Sequence, residues 1–404
     1  MPEPSRPLSI GERISFYRRR RGLTQVVLAG LVGRSTSWLQ KVERGDRRID
    51  RISVVADIAR VLRVSPQDLT GQPYVFDLPD GPSLPDINAI RRMLITDDPD
   101  TAAPPDRLPT VEELHAEARP VLQARYDARL LEVATAAPDL IRDCRLAAAL
   151  AEGKQRAQLH RLLADLYEAI WVALKNLGYV DLAWLAIERG RDAARQSADP
   201  LAERATMFQV AQFHMLIGSY DKAHQAAMES ADPLEADLGR AGPEHRSVYG
   251  ALHLAGAVAA ARLARPEAAQ ASLDEAATAG RLLGADRNDY CLHFGPTNVG
   301  IHRVAVAVEM AEGGRAVELA RDVDPSPIAP QRQGHHWIAV GRAYAQKHSD
   351  SAAVQALMRA EQVAPVLVRY PPIVREVVAD LLRRERRAGN PDLRGLAERA
   401  GVLN

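Results

Sequence analysis

Thr36, Ser37, Gln40, Lys41 and Arg44 recur at the spacing of one helical face and offer hydroxyl, amide, ammonium and guanidinium groups with little apolar bulk between them. Short polar side chains on one face are what hydrogen bonding to base edges in a major groove requires. Arg18 to Arg21 before that face, and Arg47, Arg48 and Arg51 after it, are placed to meet phosphates and fix register. The run Arg18 to Arg21 also reads as a solvated helix end whose cations oppose the macrodipole, and both readings can hold at once. Trp38 is the one large apolar group there, set either to wedge against a thymine methyl or sugar or to pack on the protein.

Such a face must be carried by a short helix lying across another at a tight turn. Thr24 caps a helix that runs through Val32, Ala29 leaves room for the crossing, Gly33 permits the turn, and Ser35 caps the next helix, which stops at Gly45. Leu39 and Val42 point inward, at i and i+3. Ile10, Ile14 and Phe16/Tyr17 predict a helix before these, ending at Gly22. Arg51 to Leu62 predicts a fourth, and Pro66 to Leu69 a short fifth with Ser65 as its N-cap. Residues 7–71 are therefore expected to form a five-helix unit.

Four phrases stand in order here: Leu23-Thr24-Gln25 with Leu28-Ala29, Val32-Gly33-Arg34-Ser35, Leu39 to Gly45, and Ile52-Ser53 through Ile58-Ala59 to Leu62-Arg63-Val64-Ser65. Together they resemble the lambda-repressor-like, Xre-family helix-turn-helix domain. The resemblance implies binding to double-stranded operator DNA. Gln25 would bind a phosphate and brace the recognition helix, Thr36, Ser37, Gln40 and Lys41 would face bases, and Arg44 would reach the backbone. The implied DNA-binding set is Gln25, Arg34, Ser35, Thr36, Ser37, Trp38, Gln40, Lys41, Arg44, Arg47 and Arg48. Val26 and Val27 depart from the family, where acidic or polar residues are common, and offer apolar surface for the linker or the other domain.

The 404-residue chain exceeds one ordinary core, and with 47% hydrophobic but only 5% aromatic residues its interior must be filled largely by Ala and Leu, which predicts an all-α fold. Basic and acidic residues balance at 52 each, yet residues 1–72 carry a net +7 and the remainder −7. Cys144 and Cys291 stand far apart without a CxxC, which excludes a disulfide framework and a zinc ribbon and suggests the reducing cytosol. Neither an apolar leader nor a membrane-length apolar run is evident, so a cytoplasmic protein without membrane contact is expected. The sequence has no GxxxxGK[ST], HExxH or GxSxG, and no enzyme activity, cofactor or metal is expected. His335 and His336 are adjacent and would point about 100° apart on a helix, which argues against a shared metal.

Eight prolines between Pro73 and Pro109 and the acidic run Asp97-Asp98-Pro99-Asp100 mark residues 72–110 as a linker, with at most one short helix near Asp86 to Leu94. Residues 111–404 then show nearly continuous helical periodicity. Five phrases align within it: Leu177 to Ala183, Ile217 to Ala223, Leu263 to Ala269, Met310 to Ala316 and Lys347 to Ala353. Their last alanines are 40, 46, 47 and 37 residues apart. The pattern resembles the tetratricopeptide repeat in degenerate form, a superhelix of paired helices.

A helix-turn-helix joined to such a superhelix resembles long actinobacterial regulators and, more distantly, peptide-sensing regulators of the RRNPP type. The second domain would then dimerise the chain, as a homodimer reading paired half-sites, and bind a peptide or small-molecule effector. The first helix of each pair should line its inner surface, where Gln212, His253, Asn298, His302, Arg303 and His336 are candidate ligand residues. Phe294-Gly295-Pro296-Thr297-Asn298 could dock an anion or carbonyl at a helix start, although Thr297 serving only as a cap is the favoured reading. The terminal run from Arg383 to Arg387 reads as a solvated helix end. The rival reading of the whole chain is an interaction scaffold, whose repeat domain binds a partner protein while the helix-turn-helix localises it to DNA.

Overall fold

The computed structural model describes residues 8–49, 52–64, 66–70, 85–96, 109–385 and 390–403. Its described elements are helices, with an isolated β-bridge between Arg287 and Phe294, and the fold is all-α.

Ser9 opens α1 (Ile10–Arg20) with a capping box, its hydroxyl accepting from the Glu12 amide while the Glu12 carboxylate accepts from the Ser9 amide. Thr24 and Ser35 cap α2 (Gln25–Leu31) and α3 (Thr36–Glu43), as their positions predict. Gly22, Gly33 and Gly45 follow the three helices with φ of +65°, +63° and +79°, a left-handed region in which a side chain is strained. α4 (Ile52–Leu62) and α5 (Pro66–Thr70) complete this unit, while Arg51 and Ser65 lie outside the described residues. Ile10, Ile14, Leu28, Leu39, Val42 and Ile58 form its core. Phe16 instead turns outward, 52% exposed, and only Tyr17 packs inward. α1 crosses α3 so closely that a Cβ on Gly11 would lie 2.1 Å from the Val42 carbonyl oxygen.

The short helix expected in the linker is α6 (Ile87–Ile95), started by the Asp86 carboxylate. The chain continues as α7 (Val111–Tyr126), α8 (Leu130–Leu150), α9 (Gly153–Leu177), α10 (Val180–Gln196), α11 (Pro200–Leu216), α12 (Tyr220–Glu235), α13 (Pro243–Arg262) and α14 (Pro266–Leu283). After a 3-10 turn at Asp289–Cys291 come α15 (Pro296–Glu309), α16 (Gly313–Arg321), α17 (Pro330–Gln346), α18 (Asp350–Val363), α19 (Pro365–Arg369), α20 (Pro372–Arg384) and α21 (Pro391–Arg399).

From α9 to α18 successive helices pack in pairs, and α9, α11, α13, α15 and α17 also pack on one another in that order, an inner row with its partners outside. α7 touches both α9 and α17, so the inner row closes into a ring. The five aligned phrases sit at equivalent turns. In each, the second residue (Gly178, Gly218, Ala264, Ala311, His348) has a φ between +55° and +89°. The following amide donates to the carbonyl five residues back at 2.8–3.0 Å, the Schellman closure of a helix end. Ala183, Ala223, Ala269, Ala316 and Ala353 are at most 1% exposed, because the next helix crosses there.

The N-terminal unit rests on this ring. Ala56 of α4 packs with Met215, Tyr220, Ala223 and Ala259, and Gly218 comes so close that a Cβ on it would meet the Ala56 Cβ at 2.7 Å. The run from Arg383, expected to be solvated, is engaged in its described part. α20 ends against the loop after α3, so Arg383 donates to the Asp46 carbonyl, and Arg384 pairs with Asp350 at 3.1 Å. Among the described residues no helix is long and apolar enough to cross a membrane.

His336 is 1% exposed, neither ring nitrogen has a partner among the described residues, and burial lowers its pKa from 6.5 to about 4. The folded state therefore holds it neutral while the unfolded chain protonates near 6.5. Its share of stability is complete above that pH and is lost as pH falls toward 4, by about 2 kcal/mol near pH 5. The urea midpoint should drop between about pH 7 and about pH 5, a loss that His336 shares with His293, His302 and His335, whose pKa values burial also lowers, and His336→Leu should make that drop smaller. An unchanged pH dependence in the variant would place the loss elsewhere.

Candidate functional site

The polar face of α3 stands on a buried ion pair. Arg18 Nε and Nη2 donate to the two Glu43 carboxylate oxygens at 2.5 and 2.8 Å, Nη1 donates to the Leu23 carbonyl, and Gln25 Nε2 adds a bond to Glu43 at 2.8 Å. Arg18 is 8% exposed and Glu43 9%. Burial pushes the Glu43 carboxyl up, but the bonds from Arg18 and Gln25 outweigh it and hold it below its ordinary value. Arg18 is thus neither a solvated helix end nor a phosphate ligand as its run suggested, because it lies one turn beyond Ile14 on the packed face. Gln25 braces α3 through Glu43.

On this support Arg34, Ser35, Ser37, Gln40, Lys41, Arg44 and Arg47 are exposed, and Thr36 and Trp38 partly so. Ser35 is engaged as the cap, its hydroxyl accepting from the Trp38 amide. Trp38 packs on the protein side, with the Arg34 guanidinium 5.6 Å from its ring centre. Arg44 pairs with Asp46 at 3.0 Å in the open, an exchangeable contact. Arg48 behaves differently: it reaches Glu376 of α20 at 3.4 Å, so in this arrangement it ties the unit to the ring. Val26 and Val27 remain open, 65% and 46% exposed. The face that results presents one hydroxyl, one amide and one ammonium to a partner, flanked by guanidinium groups.

A cavity of about 380 Å³ occupies the centre of the ring. Gln212 and His302 line it, as does His335, the neighbour of the expected His336. The remaining candidates lie apart. His253 packs tilted against the Tyr249 ring with centroids 4.4 Å apart, Arg303 faces outward beside α14, and His336 is buried. Asn298 is 1% exposed, and its amide donates to the His293 carbonyl at 2.7 Å. The start of α15 already holds a carboxylate, since Asp286 accepts from the Thr297 amide at 3.0 Å, and Thr297 does not cap the helix. Phe294 fills the space beside Gly250, where a Cβ would lie 1.9 Å from its ring. The phrase around Gly295 is thus occupied by the protein's own groups.

Sequence reading passed over Glu43, and with it Arg125, Lys175 and Arg332 in the cavity wall. The signal was available for Glu43, four residues after the inward Leu39. Burial lowers Lys175 to about 7, helped by Arg125 and Arg332, and lowers Arg332 to about 10.

Residues 9–70 match the family described as a helix-turn-helix domain. No curated protein matches the chain. Among solved structures, the crystal structure of BtubC (BKLC) from P. vanneervenii aligns at 14% identity with a TM-score of 0.34, covering 69% of this chain and 96% of that one. The N-terminal segment is a helix-turn-helix domain.

Proposed function

We propose that this chain is a sequence-specific transcriptional regulator. Its helix-turn-helix, of Xre type, reads operator DNA, and its tetratricopeptide-like ring dimerises and senses an effector. The observation that carries this reading is the exposed Ser37, Gln40 and Lys41 face of α3, fixed from beneath by the Arg18–Glu43–Gln25 brace. A base-reading helix needs both features, polar groups free to pair and a backbone that does not yield. A single eight-residue helix spans one half-site, so a homodimer on paired half-sites about one DNA turn apart follows.

Genomic fragments selected by the full-length protein and sequenced should share a short inverted repeat. Enrichment of no motif, across a range of salt, would remove the regulator reading. A motif without symmetry would keep the reader and remove the dimer.

A further inference from the structure

We infer that the central cavity is the site of a small organic anion, its charged group held by Arg332 and Lys175 and its apolar body lying against Trp171 and Phe208. This rests on the reading of the ring as an effector sensor and supplies the chemical class of that effector.

The wall carries five cations, Arg125, Lys175, Arg262, Arg332 and Arg342, against two carboxylates, Glu168 and Glu309. Both carboxylates are taken. Glu168 is clamped by Arg125 at 2.5 and 3.0 Å, and Glu309 is shared by Arg342 at 3.0 Å and Arg262 at 3.5 Å. Arg332 and Lys175 have no carboxylate partner among the described residues. Arg332 is 8% exposed; its Nη2 reaches the Leu292 carbonyl at 3.4 Å, and its Nε has no acceptor among the described residues. Lys175 donates to the Gln212 amide oxygen at 2.6 Å and sits 4.9 Å from the Trp171 ring centre.

Unpaired cations are costly in a protein interior and require a counter-charge or a lost proton. The lowered pKa of Lys175 fits a site whose counter-ion arrives from outside. The volume suits a small ligand, and the rest of the wall is largely apolar, with Met215, Val258, Ile338 and Leu367 beside the two aromatics. A bare inorganic ion would leave that surface unused.

The same cavity is closed in part by the helix-turn-helix domain, through Ile10, Val55, Pro66 and Thr70. An occupant therefore touches both units. It shifts their relative placement to the extent that it binds one arrangement more tightly than another.

The test uses 8-anilinonaphthalene-1-sulfonate, an organic anion, and N-phenyl-1-naphthylamine, which has the same body without the charge. The full-length protein should bind the sulfonate at one high-affinity site. In the Arg332→Gln, Lys175→Gln double variant that affinity should fall about tenfold or more, while the neutral amine binds both proteins alike and reports that the cavity is intact. Without probe the variant should melt no lower than the parent, since uncompensated charge has been removed. Equal sulfonate affinity in both proteins overturns the proposal, as does a neutral amine that binds the parent as tightly as the sulfonate. If the variant loses the amine as well, the milder Arg332→Lys, which keeps the charge but not the fork, should retain most of the sulfonate affinity; its failure to do so also overturns the proposal. No DNA enters this measurement, so its failure leaves the operator reading standing. A protein that binds the sulfonate but selects no operator sinks the regulator reading alone.

Discussion

Glu43→Ala should abolish the proposed DNA binding by dissolving the support beneath α3, since Glu43 is buried and lies off the exposed face. The Arg18 and Glu43 side chains are 9% and 4% exposed, so solvent screens the pair very little. Removing one member of a buried pair costs about 3–5 kcal/mol, because the remaining charge has nowhere to go. A small domain has about 5 kcal/mol or little more to lose. The variant should therefore show rapid hydrogen exchange across α1 to α4 while the amides of α9 to α18 stay protected. The companion variant Arg18→Met, Glu43→Leu removes both charges and leaves apolar groups of similar size, an exchange that buried pairs commonly tolerate. It should recover both protection and operator binding, since neither residue lies on the exposed face. Normal protection in Glu43→Ala, or a double variant that folds but does not bind, would show that the pair does something other than hold α3 in place.

The parts of this structure that were legible in the sequence are those decided within a few residues. Thr24 and Ser35 cap because a hydroxyl at a helix start satisfies an amide three positions on, and Gly22, Gly33 and Gly45 end helices because they tolerate positive φ. The alanine register of the repeats was legible for the same reason. Ring closure was not, since it depends on pairings such as Arg125 to Gln331, 206 residues apart, and the expected ligand set scattered as a result. Placing polar residues on the first helix of each pair does not say which face looks inward: His335 reaches the cavity, and His336, one position on, is buried behind it. Arg18 was hidden as the first of four consecutive arginines. Its phase separates it, because Ile10, Ile14 and Arg18 follow one another at i+4 down the packed side of α1.

The second large effect divides the exposed face by chemistry. Gln40→Ala with Lys41→Ala removes the two long donors that face outward from α3, and each well-made pairing to a base edge is worth about 1–3 kcal/mol of discrimination. The preference for the selected operator over a scrambled duplex should fall about a hundredfold or more, while affinity for the scrambled duplex changes little. Arg44→Ala should lower both affinities together and reduce the salt slope by about one, as loss of a phosphate contact does. Isotherms on the two duplexes over a range of salt separate these outcomes. The division follows from position: Gln40 and Lys41 lie within α3, whereas Arg44 is its C-cap and pairs with Asp46 on the way out of the helix. A double variant that weakened both duplexes equally would mean that α3 lies along the backbone and that the bases are read by another part of the domain. A filled support beneath α3, whether the Arg18–Glu43 pair or apolar groups of like size, would still be required, because α3 must hold its angle whichever edge of the duplex it meets.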